Sequence, residues 1–291
     1  MNKGKKVRNA DHVRRHNRPT VNNEVVEQRL KNLISAHVFG QLSYFRVHKL
    51  RDRILGLPVM LAVVLTMLWR QVPSVHELTR LICREEFLWC RWLKVSQQAL
   101  SKRFLNFPAE LFKRVFLDLL PLLKQRALER TRPQPESITL AQKHFSDIFA
   151  VDGSCLEALF RKLKSLKDVP AGTLAGKICT VIDLVTHHPV QCWEHKEPLA
   201  HDTNFIDEIL SFAKAGSLWL FDRGFYDFEF FGHLIDQGVA WITRLKSNTK
   251  YKVKSVLLIS SHIRDQIIQL TGKEGCPHLL RLIEIRFGKT W

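Results

Sequence analysis

"GSLWLFDRGFYDFEFF", running from Gly216 to Phe231, decides how the chain is read. Leu218 to Phe221 is a short apolar run of the length of a buried strand. Asp222 and Arg223 follow, then Gly224, then an apolar-rich stretch that reads as a helix from Phe225 to Asp236, ending near Gly238. Strand, charged turn and helix in that order form a unit of an α/β sheet. The same ending recurs upstream, where Ile148 to Val151 runs into Asp152 and Gly153. A carboxylate at the end of a buried strand is costly unless something holds it. Open α/β sheets gather ligand groups at the carboxyl ends of their strands. If the two strands are neighbours, Asp152 and Asp222 face one cavity, their like charges repel, and a divalent cation is the natural compensation. Mg²⁺ takes a few carboxylates and keeps waters and phosphate oxygens. Two such ions about 4 Å apart stabilise in-line displacement at a phosphodiester. Two plainer readings stand beside this one. Asp152-Gly153 is also an ordinary turn, and Asp222 is also a helix N-cap.

The flanking sequence fits the same sheet. Lys177 to Val185 and Val190 to Glu194 read as strands around the turn "THHP", hence a hairpin. "HDTNFIDEILSFAKAG" reads as a helix capped by Asp202 and ending at Gly216. Val239 to Arg244 is a further strand, and from Tyr251 onward alternation such as "LLRLIEIRF" predicts more strands. The order is that of a mixed sheet with helices on its faces. Arg223 stands beside Asp222 and suits a phosphate or an acid. Arg244 and Lys246 end the fifth strand. Arg161, Lys162, Lys164 and Lys167 follow Asp152, and all of these can track a polyanion. His188, Cys192 and His195 share the hairpin, but no short-spaced pair completes a four-ligand zinc set. Cys192 and His195 also point to opposite faces of a strand.

Residues from about 22 to 128 follow helical spacing. Ser74 and Ser96 are placed as N-caps of two short helices, the second carrying Gln97, Gln98, Lys102 and Arg103. That outline resembles a helix-turn-helix, and a plain bundle with a basic outer face fits it equally. Ile54 to Trp69 is apolar but short for a bilayer and holds Gly56 and Pro58, so it reads as a buried core helix. "RTRPQPESITLAQ", Arg130 to Gln142, reads as a linker. The domain scheme is a basic arm (1–20), a helical DNA-binding domain (21–130), a linker (131–145), an α/β core (146–248) and the start of a β-rich insertion (249–291). The 45 basic and 28 acidic residues leave a net charge of +17, which points to nucleic acid as partner. The six cysteines form no C-x-x-C and read as reduced thiols of a cytosolic protein. The N-terminus lacks the apolar core of a secretory signal.

"DIFAVDGSCLEAL" (147–159), "AHDTNF", "LWLFDRGFYDFEFF" and "ITRLKSN" (242–248) together resemble the DDE transposases of insertion sequences, specifically the IS-four group. The resemblance implies a ribonuclease-H-like mixed sheet with strand order 3-2-1-4-5, preceded by an all-helical domain. Asp152 then matches the first catalytic acid on strand one and Asp222 the second after strand four, with Mg²⁺ or Mn²⁺ as cofactor. It implies end cleavage and strand transfer on double-stranded DNA, at transposon inverted-repeat ends and target. It further implies a homo-oligomer in the DNA complex and a bacterial, cytoplasmic, nucleoid-associated location with no membrane. The family's third acid is a Glu in a Tyr-x-x-Arg-x-x-x-Glu pattern on a later helix. Glu229, Glu274 and Glu284 do not sit in that pattern. The chain therefore reads as a truncated copy whose sheet is incomplete at its C-terminus, inactive alone and left with exposed apolar surface. A non-catalytic DNA-end-binding protein or inhibitor, and a nuclease that never joins strands, are the competing readings.

Overall fold

The computed structural model describes residues 22–47, 54–129, 133–155, 176–271 and 276–286. The basic arm, the Arg161–Lys167 basic cluster and Glu274 lie outside them. The chain divides into two compact units, Met1–Val115 and Phe116–Trp291.

The first unit is helical: α1 (Asn23–Gly40), α2 (Leu42–Val47), α3 (Leu57–Trp69), α4 (Val75–Ile82) and α5 (Gln97–Asn106). A further helix, α6 (Ala109–Leu128), runs across the division and contains Pro121. Helix α3 buries Leu57, Met60, Leu61, Ala62, Val63, Thr66 and Met67, and Pro58 opens it, where a missing N–H costs nothing. Among the described residues no helix is long and apolar enough to cross a membrane. Ser74 Oγ accepts from Glu77 N at 3.2 Å and Ser96 Oγ from Ala99 N at 3.1 Å, so both serines cap as the sequence predicts. A helix-turn-helix joins its helices by about 3–4 residues. Here Cys83 to Ser96 intervene, folded on themselves by a bridge between Phe87 and Cys90.

The second unit opens with α7 (Glu136–Ala141), a short helix inside the stretch that reads as a linker. Gln134 Nε2 donates to Val185 O at 2.6 Å, which ties that stretch to the β2–β3 turn. The main sheet has five strands: β1 (Ile148–Cys155), β2 (Lys177–Asp183), β3 (His188–His195), β4 (Leu218–Phe221) and β5 (Ala240–Thr243). Their order is β3-β2-β1-β4-β5, as the resemblance implies. β1–β2 and β2–β3 are antiparallel, while β1–β4 and β4–β5 are parallel. A 3₁₀ turn (Asp202–Phe205) leads into α8 (Ile206–Phe212), and α9 (Phe228–Asp236) follows β4. These cover one face of the sheet, where Phe149, Val151, Cys179, Val181, Trp219 and Phe221 pack with Phe205, Ile209, Phe230 and Phe231. The fold is thus α/β, a ribonuclease-H-like mixed sheet preceded by a helical region.

Three local expectations are corrected. β1 does not end before Asp152: it continues to Cys155 because β2 keeps pairing with it, Asp152 lying opposite Thr180. Asp152-Gly153 is therefore strand, not turn. Asp202 is not the cap of the following helix. His201 Nδ1 accepts from Thr203 N at 3.3 Å, a 3₁₀ turn precedes α8, and the helix stops at Phe212 before Gly216 turns at φ +81°. The helix after Asp222 starts at Phe228, not Phe225, because Asp227 caps it by accepting from Phe230 N at 2.8 Å.

A second sheet, β6 (Tyr251–Ile259), β7 (Ile263–Leu270) and β8 (Leu279–Ile285), is antiparallel in the order β6-β7-β8. Ile268, Leu270 and Cys276 form its small core against Phe228 and Ile235 of α9.

Candidate active site

The register of the main sheet builds the site. Val151 pairs with Phe221, and Phe221 with Thr243, so these three lie in one row across β1, β4 and β5. Asp152, Asp222 and Arg244 each come one residue later. Val151 and Phe221 point into the core beneath. Side chains alternate along a strand, so Asp152 projects from the opposite face, and Asp222 leaves β4 in the same sense. Both aspartates and Arg244 are exposed.

Each carboxylate has one local donor. Asp222 Oδ1 accepts from Gly224 N at 2.8 Å, so the cap reading of Asp222 and its place at the strand end are both true. Asp152 Oδ2 accepts weakly from Ser154 Oγ at 3.5 Å. Thr243 Oγ1 donates to Asp222 O at 3.4 Å and links the β4 end to β5.

Behind the pair lie groups that sequence reading missed. The Asp202 carboxylate is ion-paired with Lys177 Nζ at 2.6 Å. A Cβ built on Gly153 would meet Asp202 Oδ1 at 2.0 Å, and one on Gly224 would meet Asp202 Oδ2 at 2.2 Å. Only glycine leaves room there. The signal available was the glycine one residue after Asp152 and two residues after Asp222, each read only as turn chemistry. The buried Cys179 thiol is pushed up to about 12, first by burial and then by the negative charge of Asp202, Cys192, Asp152 and Glu208.

The other site residues divide. Arg223 is exposed and begins the short 3₁₀ turn (Arg223–Phe225) after Asp222. Lys246 Nζ sits 4.9 Å from the centre of the Tyr226 ring, whose hydroxyl pairs with Thr249 Oγ1 at 2.8 Å. Lys102 is exposed on α5 in the first unit. Arg103 is held: its Nε donates to Leu55 O at 2.9 Å and its guanidinium lies over Phe107. Glu229 is exposed in the first turn of α9, and Glu284 lies on β8, 3.8 Å from Arg264.

Among the described residues no group of three or more His, Cys, Asp or Glu side chains is placed to hold a metal ion. Two exposed carboxylates, each one residue past a paired row, still suit Mg²⁺, which is commonly held by one or two carboxylates together with waters and substrate phosphates. The donor set is oxygen only, which disfavours zinc.

A mixed sheet in the order β3-β2-β1-β4-β5 belongs to the ribonuclease-H-like class of folds. Residues 143–284 match the family model of the transposase DDE domain, which supports a DDE transposase domain in this part of the chain. No curated protein and no solved structure matches the chain.

Proposed function

We propose that the protein is a DNA transposase in which Asp152 and Asp222 are the metal-holding carboxylates of a DDE site. The reading is carried by their register: one row past Val151–Phe221, on one face, at the carboxyl end of a parallel strand pair.

Mg²⁺ or Mn²⁺ would be held by Asp152 and Asp222. When bound, such ions promote attack on a phosphodiester and neutralise the developing charge. The chain's own residues do the positioning. The Gly224 N–H holds one oxygen of Asp222, which leaves its partner oxygen to face the site. Arg223 and Arg244 flank the carboxylates and would draw DNA phosphates toward them. Lys246, parked over Tyr226, is within the same loop region and would follow the backbone further out. In-line transfer depends mainly on such placement and on charge. The net charge of +17 favours double-stranded DNA, both transposon ends and target. We assign Lys102 to DNA contact on the helical unit. Arg103, engaged with Leu55 and Phe107, would support that helix. On DNA the protein would act as a homo-oligomer. With two carboxylates, cleavage by this chain alone would be weak or absent.

The test is Mn²⁺ binding to the full chain, followed by the electron-spin-resonance signal of free Mn²⁺, beside nicking of supercoiled plasmid. Binding that disappears in Asp152→Ala and in Asp222→Ala is expected. Binding that both variants retain removes the proposal.

A further inference from the structure

We propose that the Asp202–Lys177 ion pair is a positioning element that holds the two aspartate-bearing segments in register from beneath. The inference rests on the DDE reading of Asp152 and Asp222. The last paired row of β1 and β4 is Val151–Phe221, and Asp152 and Asp222 come one residue past it. Gly153 lies on the core face of β1, opposite Cys179, while Asp152 lies on the other. The Asp202 carboxylate lies beside the glycines that follow the two aspartates in sequence, Gly153 and Gly224. One oxygen stands 2.0 Å from where a Cβ on Gly153 would lie and the other 2.2 Å from where one on Gly224 would lie, so each oxygen fills the space that a glycine leaves.

The clamp is itself anchored. Lys177, in register with Cys155 on the same face, brings its Cε to 3.1 Å from a Cβ built at Gly153. Its Nζ meets Asp202 at 2.6 Å and donates to Ala200 O at 2.7 Å. Asp202 is 17% exposed and Lys177 is 12% exposed, so neither charge is well solvated, and each needs the other. Asp202 thus adds no uncompensated negative charge beneath a site that already holds two. Its carboxylate reaches from the space beside Gly153 of β1 to the space beside Gly224 in the turn after β4. That fits a group that sets the separation of two ligands better than one that binds a ligand itself.

The experiment measures Mn²⁺ affinity of the full chain without DNA, with near-ultraviolet circular dichroism as a check on packing. Asp202→Asn and Lys177→Met are expected to weaken binding about 10–100-fold, the range for groups that orient metal ligands, with the dichroism spectrum unchanged. Lys177→Arg is expected to restore most of the affinity, since it keeps the charge. Should Lys177→Met unfold by stranding the buried carboxylate, the double Asp202→Asn/Lys177→Met variant removes both charges and takes its place. Wild-type affinity in Asp202→Asn and in the double variant overturns the positioning role while leaving the DDE reading intact. Absence of any Asp152-dependent binding in the unmodified chain overturns both.

Discussion

The two sheets of the second unit use similar residues and end in opposite environments. β4, Leu218 to Phe221, is an apolar run enclosed between β1 and β5 and largely buried. β6 contains an apolar run of its own, Val256 to Ile259, yet nearly all of it is exposed, Ile259 at 63%. Local composition does not separate these runs. What separates them is a second layer: α8 and α9 pack on the main sheet, whereas the small sheet meets α9 through a small core of Ile268, Leu270 and Cys276 and a pair between His278 Nε2 and Asp236 at 2.9 Å. Burial is a property of what lies opposite a strand, and an apolar run states only that it tolerates being covered.

The sharpest way to break this contrast is to empty the covered sheet. Trp219 is fully buried, meets Phe149 edge-on at 5.1 Å, stacks on Phe221 at 5.9 Å, and donates from Nε1 to Ser217 Oγ at 2.9 Å. Trp219→Ala is expected to cost about 3–5 kcal/mol, the range for removing a large aromatic from a core. Urea unfolding followed by far-ultraviolet circular dichroism measures it. A loss under 1 kcal/mol would mean that the aromatic layer does not hold the sheet.

Next in size is a substitution that adds atoms instead of removing them. A methyl group at Gly153 would lie 2.0 Å from Asp202 Oδ1, and the ion pair to Lys177 restrains that oxygen from swinging away. Gly153→Ala is expected to cost about 1–3 kcal/mol as overpacking, in the same urea titration. The same change in an Asp202→Ala background is expected to cost less, since the obstacle is gone. Equal costs in the two backgrounds would show that the two sites do not touch.

How much of this was legible in the sequence depends on the range of each interaction. The main-sheet strands were readable because "IFAV", "KICTVID" and "LWLF" are local runs bounded by turn residues. Their order came from the resemblance, and the structure has that order. Asp152 and Asp222 drew attention as charges at the ends of apolar runs. Their shared row required the pairing of strands far apart in sequence, which no local pattern encodes. β1 was read too short because Asp152 and Gly153 are poor strand formers, and pairing with β2 overrides that preference. Asp202 was misread as a cap for the same reason. Its residue type suits a cap, but Lys177 and two glycines from other segments claim its side chain. The helix starting at Phe228 was missed by one turn because Asp222 and Asp227 both look like caps, and only the latter has a full helix after it.

The small sheet has its own handle in pH. Arg281 grips Asp265 with two hydrogen bonds, Nε to Oδ1 at 2.9 Å and Nη2 to Oδ2 at 2.6 Å, joining β7 to β8. The hydrogen bonds from Arg281 hold the Asp265 carboxyl below its ordinary value. A carboxyl lowered in the folded state contributes stability that is present above its unfolded value, about 3.9, and is lost as pH falls through the folded one. Thermal melts between pH 6 and pH 2 are expected to show the stability of Arg281→Met falling less steeply with acid than that of the unmodified chain. Parallel curves would show that the pair is not what acid attacks.

The smallest effect is expected where the contrast began. Leu257 and Ile259 are 55% and 63% exposed on β6, so unfolding adds comparatively little to the surface their side chains already show to water. Leu257→Lys should therefore change unfolding free energy by no more than about 0.5 kcal/mol, the usual range for a surface substitution away from special features. It should also raise solubility, because an exposed apolar strand is a template for association and a lysine interrupts it. Static light scattering against concentration, beside the urea titration, reads both quantities. An unchanged midpoint with reduced association fits a bare apolar strand. A destabilisation near that of a core position would require Leu257 to be covered in solution, and the difference between the two sheets would then lie in what covers each rather than in whether one is covered at all.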